Sequence, residues 1–136
     1  MASEVPKQLK KKLTDGWAAE TLYVALFNKN YVIPTNGKYS TTNEVSGTGY
    51  TAGGIALGTK TSAYVDTVDA VLDAADTVFS GVLFVLPNAP RFAVVYETAT
   101  NLIRGKFDLG GDRVVSPLGV LTVLWNAEGL LKVSET

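Results

Sequence analysis

The chain has 136 residues, with 12 basic and 13 acidic side chains, a formal net charge of -1 and 46% apolar residues. That is one domain's length and enough apolar material for a hydrophobic core, which argues against disorder, and the balanced charge gives no positive field to draw nucleic acid. Without Cys or His there are no disulfides, thiol nucleophiles, imidazole bases, or thiolate or imidazole metal sites, so the expectation is a protein that is not an enzyme and carries no cofactor.

No apolar stretch approaches the ~18 residues of a membrane span, and the N-terminus lacks the apolar core of a secretory signal. The expected site of synthesis is the cytosol, with no membrane segment.

Ser3 to Gly16 reads as a short helix. Val5, Leu9 and Leu13 recur every four residues, Ser3 suits the N-cap, Pro6 the first turn and Gly16 the end. Lys7, Lys10, Lys11 and Lys12 fall mostly on its outward face, where a solvated lysine stripe is the commoner reading.

Thr21 to Phe27 is rich in aromatic and branched residues and reads as a buried or half-buried strand. Pro34 to Gly54 is dominated by Thr, Ser, Asn and Gly. A loop this long in a compact domain is usually functional, and it is the first candidate for partner contact. Further strands are expected at Gly54–Ser62, Arg91–Glu97, Leu102–Asp108, Gly119–Trp125 and Leu130–Val133. Asn126 to Gly129 reads as a hairpin turn joining the last two, and Asp108 to Asp112 as another turn. Val65 to Phe79 fits a helix through Val65, Val68, Leu72, Ala75 and Phe79, but Val68 to Leu72 fits a strand equally well. With no repeat or linker, one domain is expected, and its class is all-β: an antiparallel β-sandwich, of jelly-roll type in one variant, behind a short N-terminal helix.

Motifs for ligand chemistry are weak. Gly47-Thr-Gly-Tyr-Thr-Ala52 formally fits a dinucleotide-binding turn, but a polar stretch precedes it and no helix follows. Gly53 to Thr61 misses the phosphate-binding loop because Lys60 comes one position late. Asp66, Asp69, Asp73 and Asp76 form an acidic cluster without the spacing of a calcium loop, and solvation accounts for them without a metal. A carboxylate pair of glycosidase type needs neither His nor Cys, yet nothing marks which two would converge. Tyr31, Tyr39 and Tyr50 lie in or beside the long loop and suit packing against a neighbouring subunit.

Five stretches carry a resemblance. They are Thr21 to Tyr31 after a short helix, Asn43-Glu-Val-Ser-Gly-Thr-Gly-Tyr-Thr-Ala-Gly-Gly54, Leu72-Asp-Ala-Ala-Asp-Thr-Val-Phe79, Arg91-Phe-Ala-Val-Val-Tyr96 and Leu124-Trp-Asn-Ala-Glu-Gly-Leu130. Together they span nearly the whole chain, which resembles a family of small structural proteins of tailed bacteriophages of head-decoration or cement type. The chain departs from it at Pro34–Thr42, which is shorter, and at the apolar run Val82 to Leu86.

The resemblance implies a virion component with an all-β core, made in the host cytoplasm, and it favours strand over helix at Val68 to Leu72 and again at Val78 and Phe79. The implied partners are the major capsid protein or other virion proteins, together with further copies of the chain, and not nucleic acid or membrane. Contact residues are expected at Tyr31, Tyr39, Asn43, Glu44, Val45 and Tyr50, with Lys7 and Lys11 of the helix second. A neck or tail position and a surface carbohydrate-binding or receptor module are the alternatives.

Overall fold

Six apolar or aromatic residues in a row with no charge suit a strand buried on both faces, and Leu22–Phe27 (β1) is such a run. The computed structural model describes residues 7–64, 70–125 and 131–133. Besides β1 they form a helix, Lys7–Ala19 (α1), and the strands Ile55–Ala56 (β2), Lys60–Tyr64 (β3), Ala70–Ala74 (β4), Thr77–Phe84 (β5), Phe92–Glu97 (β6), Ile103–Asp108 (β7), Val115–Val123 (β8) and Leu131–Val133 (β9). The protein is mostly β, antiparallel and sandwich-like, with one short helix.

Two compact units can be described, each assembled from discontinuous segments. That discontinuity leaves no linker in the sequence.

The larger unit contains residues 21–57 and 77–123. Its four-stranded sheet has the order β2-β1-β6-β7, and β5 pairs with β8 in a two-stranded ribbon. β1 and β6 pair in full register from Leu22↔Glu97 to Phe27↔Phe92. Leu22, Val24, Leu26, Phe27, Val94 and Val95 supply the core of the sheet, and Val82 and Phe84 are the fully buried side chains of the ribbon. Together such burial is the main favourable term in the fold.

In the smaller unit α1 packs against the sheet β3-β4-β9. Thr14, fully buried in α1, shares a 2.6 Å hydrogen bond with Ser62 of β3. Lys11 pairs with Asp15 one turn on at 2.7 Å. Trp125 Nε1 donates to the Ala75 carbonyl at 3.1 Å.

Several expectations change. The helix runs through Gly16 to Ala19, and Leu13 stays 46% exposed while the neighbouring Thr14 is buried, so the inward stripe is rotated from the one read off the leucines. Ser3, Val5 and Pro6 lie outside the described residues. Gly54–Ser62 is divided into β2 and β3, one in each unit. Strand prevails over helix at Ala70–Ala74 and Thr77–Phe84, while Val65 to Asp69 lie outside the described residues. Among the described residues β8 pairs with β5 and β9 with β4, and no pairing joins Leu121–Trp125 to Leu131–Val133 as a hairpin. The turn expected at Asn126 to Gly129 lies outside the described residues.

Candidate functional site

Because β2 is only two residues long, it covers β1 only at Tyr23 and Val24, leaving the rest of that edge to find other hydrogen-bond partners. The loop between β1 and β2 supplies them. Asn28 N–H donates to the Asn43 carbonyl at 2.9 Å, Val45 N–H to the Leu26 carbonyl at 3.0 Å, and Leu26 N–H to the Tyr50 hydroxyl at 3.0 Å. A tyrosine side chain thus completes a strand edge.

Glu44 is the hub of this loop. Its Oε1 accepts the Tyr39 hydroxyl at 2.5 Å, and its Oε2 accepts the Tyr50 hydroxyl at 2.5 Å and Gly53 N–H at 2.7 Å. Tyr96 of β6 closes the ring by donating to the Gly53 carbonyl at 2.7 Å. Hydrogen bonds to a carboxylate are roughly twice as strong as neutral ones, so three of them on one side chain hold the loop firmly. Burial first, and then the hydrogen bond to Glu44, pushes the Tyr39 and Tyr50 phenols well above their ordinary range.

The rings are used as fully as the hydroxyls. Tyr39 stacks on Tyr96 with centroids 4.4 Å apart and an 11° interplanar angle. Tyr50 lies against Phe79 and Phe84 of the ribbon, each at 5.9 Å. Tyr31 packs on Phe27 at 4.0 Å. The backbone must pass close by: Gly54 has φ +78°, and a Cβ there would collide with the Val24 carbonyl.

Of the contact residues read from the sequence, Tyr39, Glu44 and Tyr50 therefore meet in one network whose polar atoms point inward. Tyr31 and Val45 are 4% and 3% exposed and belong to the core. Asn43, at φ +67°, donates from Nδ2 to the Asn30 carbonyl at 3.2 Å. Lys11 is engaged with Asp15, and the Lys7 side chain lies outside the described residues. Asp73 accepts Ala74 N–H at 2.8 Å, Asp76 is exposed, and Asp66 and Asp69 are outside the described residues.

Two further features lie on the surface of the larger unit. A recess of about 460 Å³ is lined by Asn30, Val32, Asn36, Lys38, Thr42 and Asn43, among others. The second feature, the outward side of the β5–β8 ribbon, carries Val78 at 47% exposure and Val120 at 57%. The sequence reading places strand at Gly119–Trp125 and at Val78 and Phe79 but not their pairing with each other. Charge is absent from Thr77 to Pro90 and from Val114 to Trp125.

Comparison of the chain with protein-family models, with curated proteins and with solved structures returns no match.

Proposed function

We propose that this chain is a non-enzymatic structural protein of a tailed-bacteriophage particle, acting as a capsid decoration or cement protein that binds the head lattice and stabilises it. What supports the reading above all is how the most distinctive stretch of the resemblance, Asn43 to Gly54, is spent. Glu44, Tyr50, Gly53 and Gly54 turn their chemistry inward to brace a sheet edge. A braced scaffold suits a protein whose work is fitting against neighbours, where many weak symmetric contacts add up.

The test is addition of the purified chain to heads that lack it. Binding that saturates at a number set by the lattice, with a gain in the heads' resistance to heat, is the expected result. Heads that take up no protein would remove the head assignment. A neck or tail place is the variant in which only a few copies enter each particle.

One observation favours a second reading, a carbohydrate-binding receptor module. The recess between Asn30 and Asn43 presents amides, hydroxyls and one ammonium group, the groups that hydrogen-bond sugars. Binding to a glycan array that is lost on Asn36→Ala and Lys38→Ala would decide for it.

A further inference from the structure

The recess of about 460 Å³ is formed by one continuous stretch of chain, from Asn30 to Asn43, and that stretch is pinned at both ends. Tyr39 N–H donates to the Asn101 carbonyl at 2.7 Å and Ile103 N–H to the Gly37 carbonyl at 2.8 Å, which ties the segment carrying Asn36 and Lys38 to the start of β7. Asn28 N–H holds the Asn43 carbonyl at 2.9 Å, and Asn43 Nδ2 reaches the Asn30 carbonyl at 3.2 Å. Folding has therefore already ordered the backbone that a ligand would meet, which lowers the entropy cost of binding.

The side-chain groups left over are rich in donors. Asn36 Oδ1 accepts Lys38 N–H at 3.0 Å, which leaves the Asn36 amide nitrogen to donate. Ser40 Oγ donates to Thr42 Oγ1 at 3.2 Å, which leaves the Thr42 hydroxyl proton to donate. The Lys38 ammonium has no ion-pair partner among the described residues. No carboxylate lines the recess, and the Glu44 carboxylate, next in sequence to Asn43, is spent on Tyr39, Tyr50 and Gly53.

Charge and donors set the ligand's class. Neutral sugars are held well by carboxylates that accept from their hydroxyls and by an open aromatic ring beneath their apolar face. Here the carboxylates are missing, and the one aromatic lining the recess, Tyr39, is already stacked on Tyr96 at 4.4 Å. Donors grouped around an uncompensated ammonium favour a ligand with many acceptor oxygens and a single negative charge. A phosphate, with nearly two charges, is better matched by arginine, and Lys38 is the one cation among the described residues that line the recess. Val32, 75% exposed, and Pro34 add apolar surface suited to the C–H face of a pyranose ring. The volume lies in the lower half of the range of about 300–1,000 Å³ that small-ligand sites span.

We propose that this recess binds an acidic saccharide, with the carboxylate of a uronic or sialic acid unit on Lys38 and ring hydroxyls on Asn36, Thr42 and Asn43. This ligand class rests on the carbohydrate reading of the recess and narrows it. It holds wherever on a particle the chain sits.

Titration of the nitrogen-labelled full chain with digalacturonate and with sialyllactose, each beside its methyl ester, tests it by heteronuclear NMR. Acetate at matched concentration controls for the bare carboxylate. Lys38→Met keeps the apolar stem and removes the charge, and because Lys38 is exposed it should leave the unfolding midpoint where it is. Lys60→Met, in β3, removes the same charge outside the recess.

The expected result is that at least one of the two acids shifts amide resonances between Asn30 and Asn43. Its affinity should fall at least about fivefold on esterification and at least about fivefold in Lys38→Met, and stay unchanged in Lys60→Met. Acid and ester binding equally, or Lys38→Met and Lys60→Met behaving alike, would overturn the acidic class. So would acetate producing the same shifts as the sugars, which would mean an adventitious ion only. Equal binding of acid and ester that Asn36→Ala abolishes would sink the acidic class and leave the carbohydrate reading standing. No shift with any of the sugars would sink both, while uptake on heads tests the virion reading separately.

Discussion

The Glu44 carboxylate takes the Tyr50 hydroxyl proton donor at 2.5 Å while that same hydroxyl oxygen accepts Leu26 N–H at 3.0 Å. One phenol thus joins a loop carboxylate to the uncovered edge of a central strand. Removing either partner leaves the other unsatisfied.

Glu44→Ala leaves the Tyr39 and Tyr50 hydroxyls and Gly53 N–H without their acceptor. An orphaned buried group costs about 1–3 kcal/mol, so destabilisation of about 2–4 kcal/mol is expected, with Glu44→Gln milder because it keeps an acceptor oxygen. Urea denaturation at neutral pH measures both. Equal, small effects would mean that the network contributes little.

Stability should fall in alkali. Both phenols have folded-state pKa values raised above the ordinary 10.0. Above that pH the unfolded chain has lost protons that the folded chain keeps, so the stabilisation, complete below pH 10, is eroded as pH rises. Each fully shielded phenol contributes a slope of about 1.4 kcal/mol per pH unit, and Tyr39, which water partly reaches, contributes less. Denaturation midpoints of the wild type and Tyr50→Phe between pH 8 and 11.5 should converge as pH rises.

Tyr31 gives a prediction of opposite sign. Its hydroxyl is buried and finds no hydrogen-bond partner among the described residues, and burial raises its pKa. Tyr31→Phe keeps the stacking on Phe27 and removes the desolvated oxygen, so a gain of about 1 kcal/mol is expected in thermal or urea unfolding. A loss of stability would show that the hydroxyl has a partner in solution.

Two glycines should respond in opposite directions. Gly54→Ala puts a Cβ against the Val24 carbonyl on backbone that favours glycine, and should cost more than about 2 kcal/mol or prevent folding. Gly16 lies inside α1 with open space around it, so Gly16→Ala should stabilise by about 0.5–1 kcal/mol. Circular dichroism melts of the two variants suffice.

How far the sequence could be read depends on what each residue's partners are. β1 and β6 were legible because continuous apolar runs have one comfortable place, the middle of a sheet. The final hairpin is not legible because a glycine-ended stretch of sequence suggests where a strand stops but not which strand it pairs with. The preference of β8 for β5 depends on segments about forty residues away. At the loop, composition singles out Tyr39, Glu44 and Tyr50 together but does not say which way their hydroxyls and carboxylate turn. Their hydroxyls turn inward because Glu44 lies five residues after one tyrosine and six before the other, and the chain reverses at Gly53 and Gly54. Propensity does not encode that reversal. The strands of the ribbon are legible at Gly119–Trp125 and at Val78 and Phe79, but their pairing is not, because strand propensity says nothing of a partner so far along the chain.

The central claim is that this chain works as a building block of a phage head, and a reconstruction of the assembled particle tests it most directly. Density for the chain on the outer shell, repeated in step with the capsid lattice, is the expected result. Particles that contain none of it, or carry it only as a few copies at the tail, would contradict that claim.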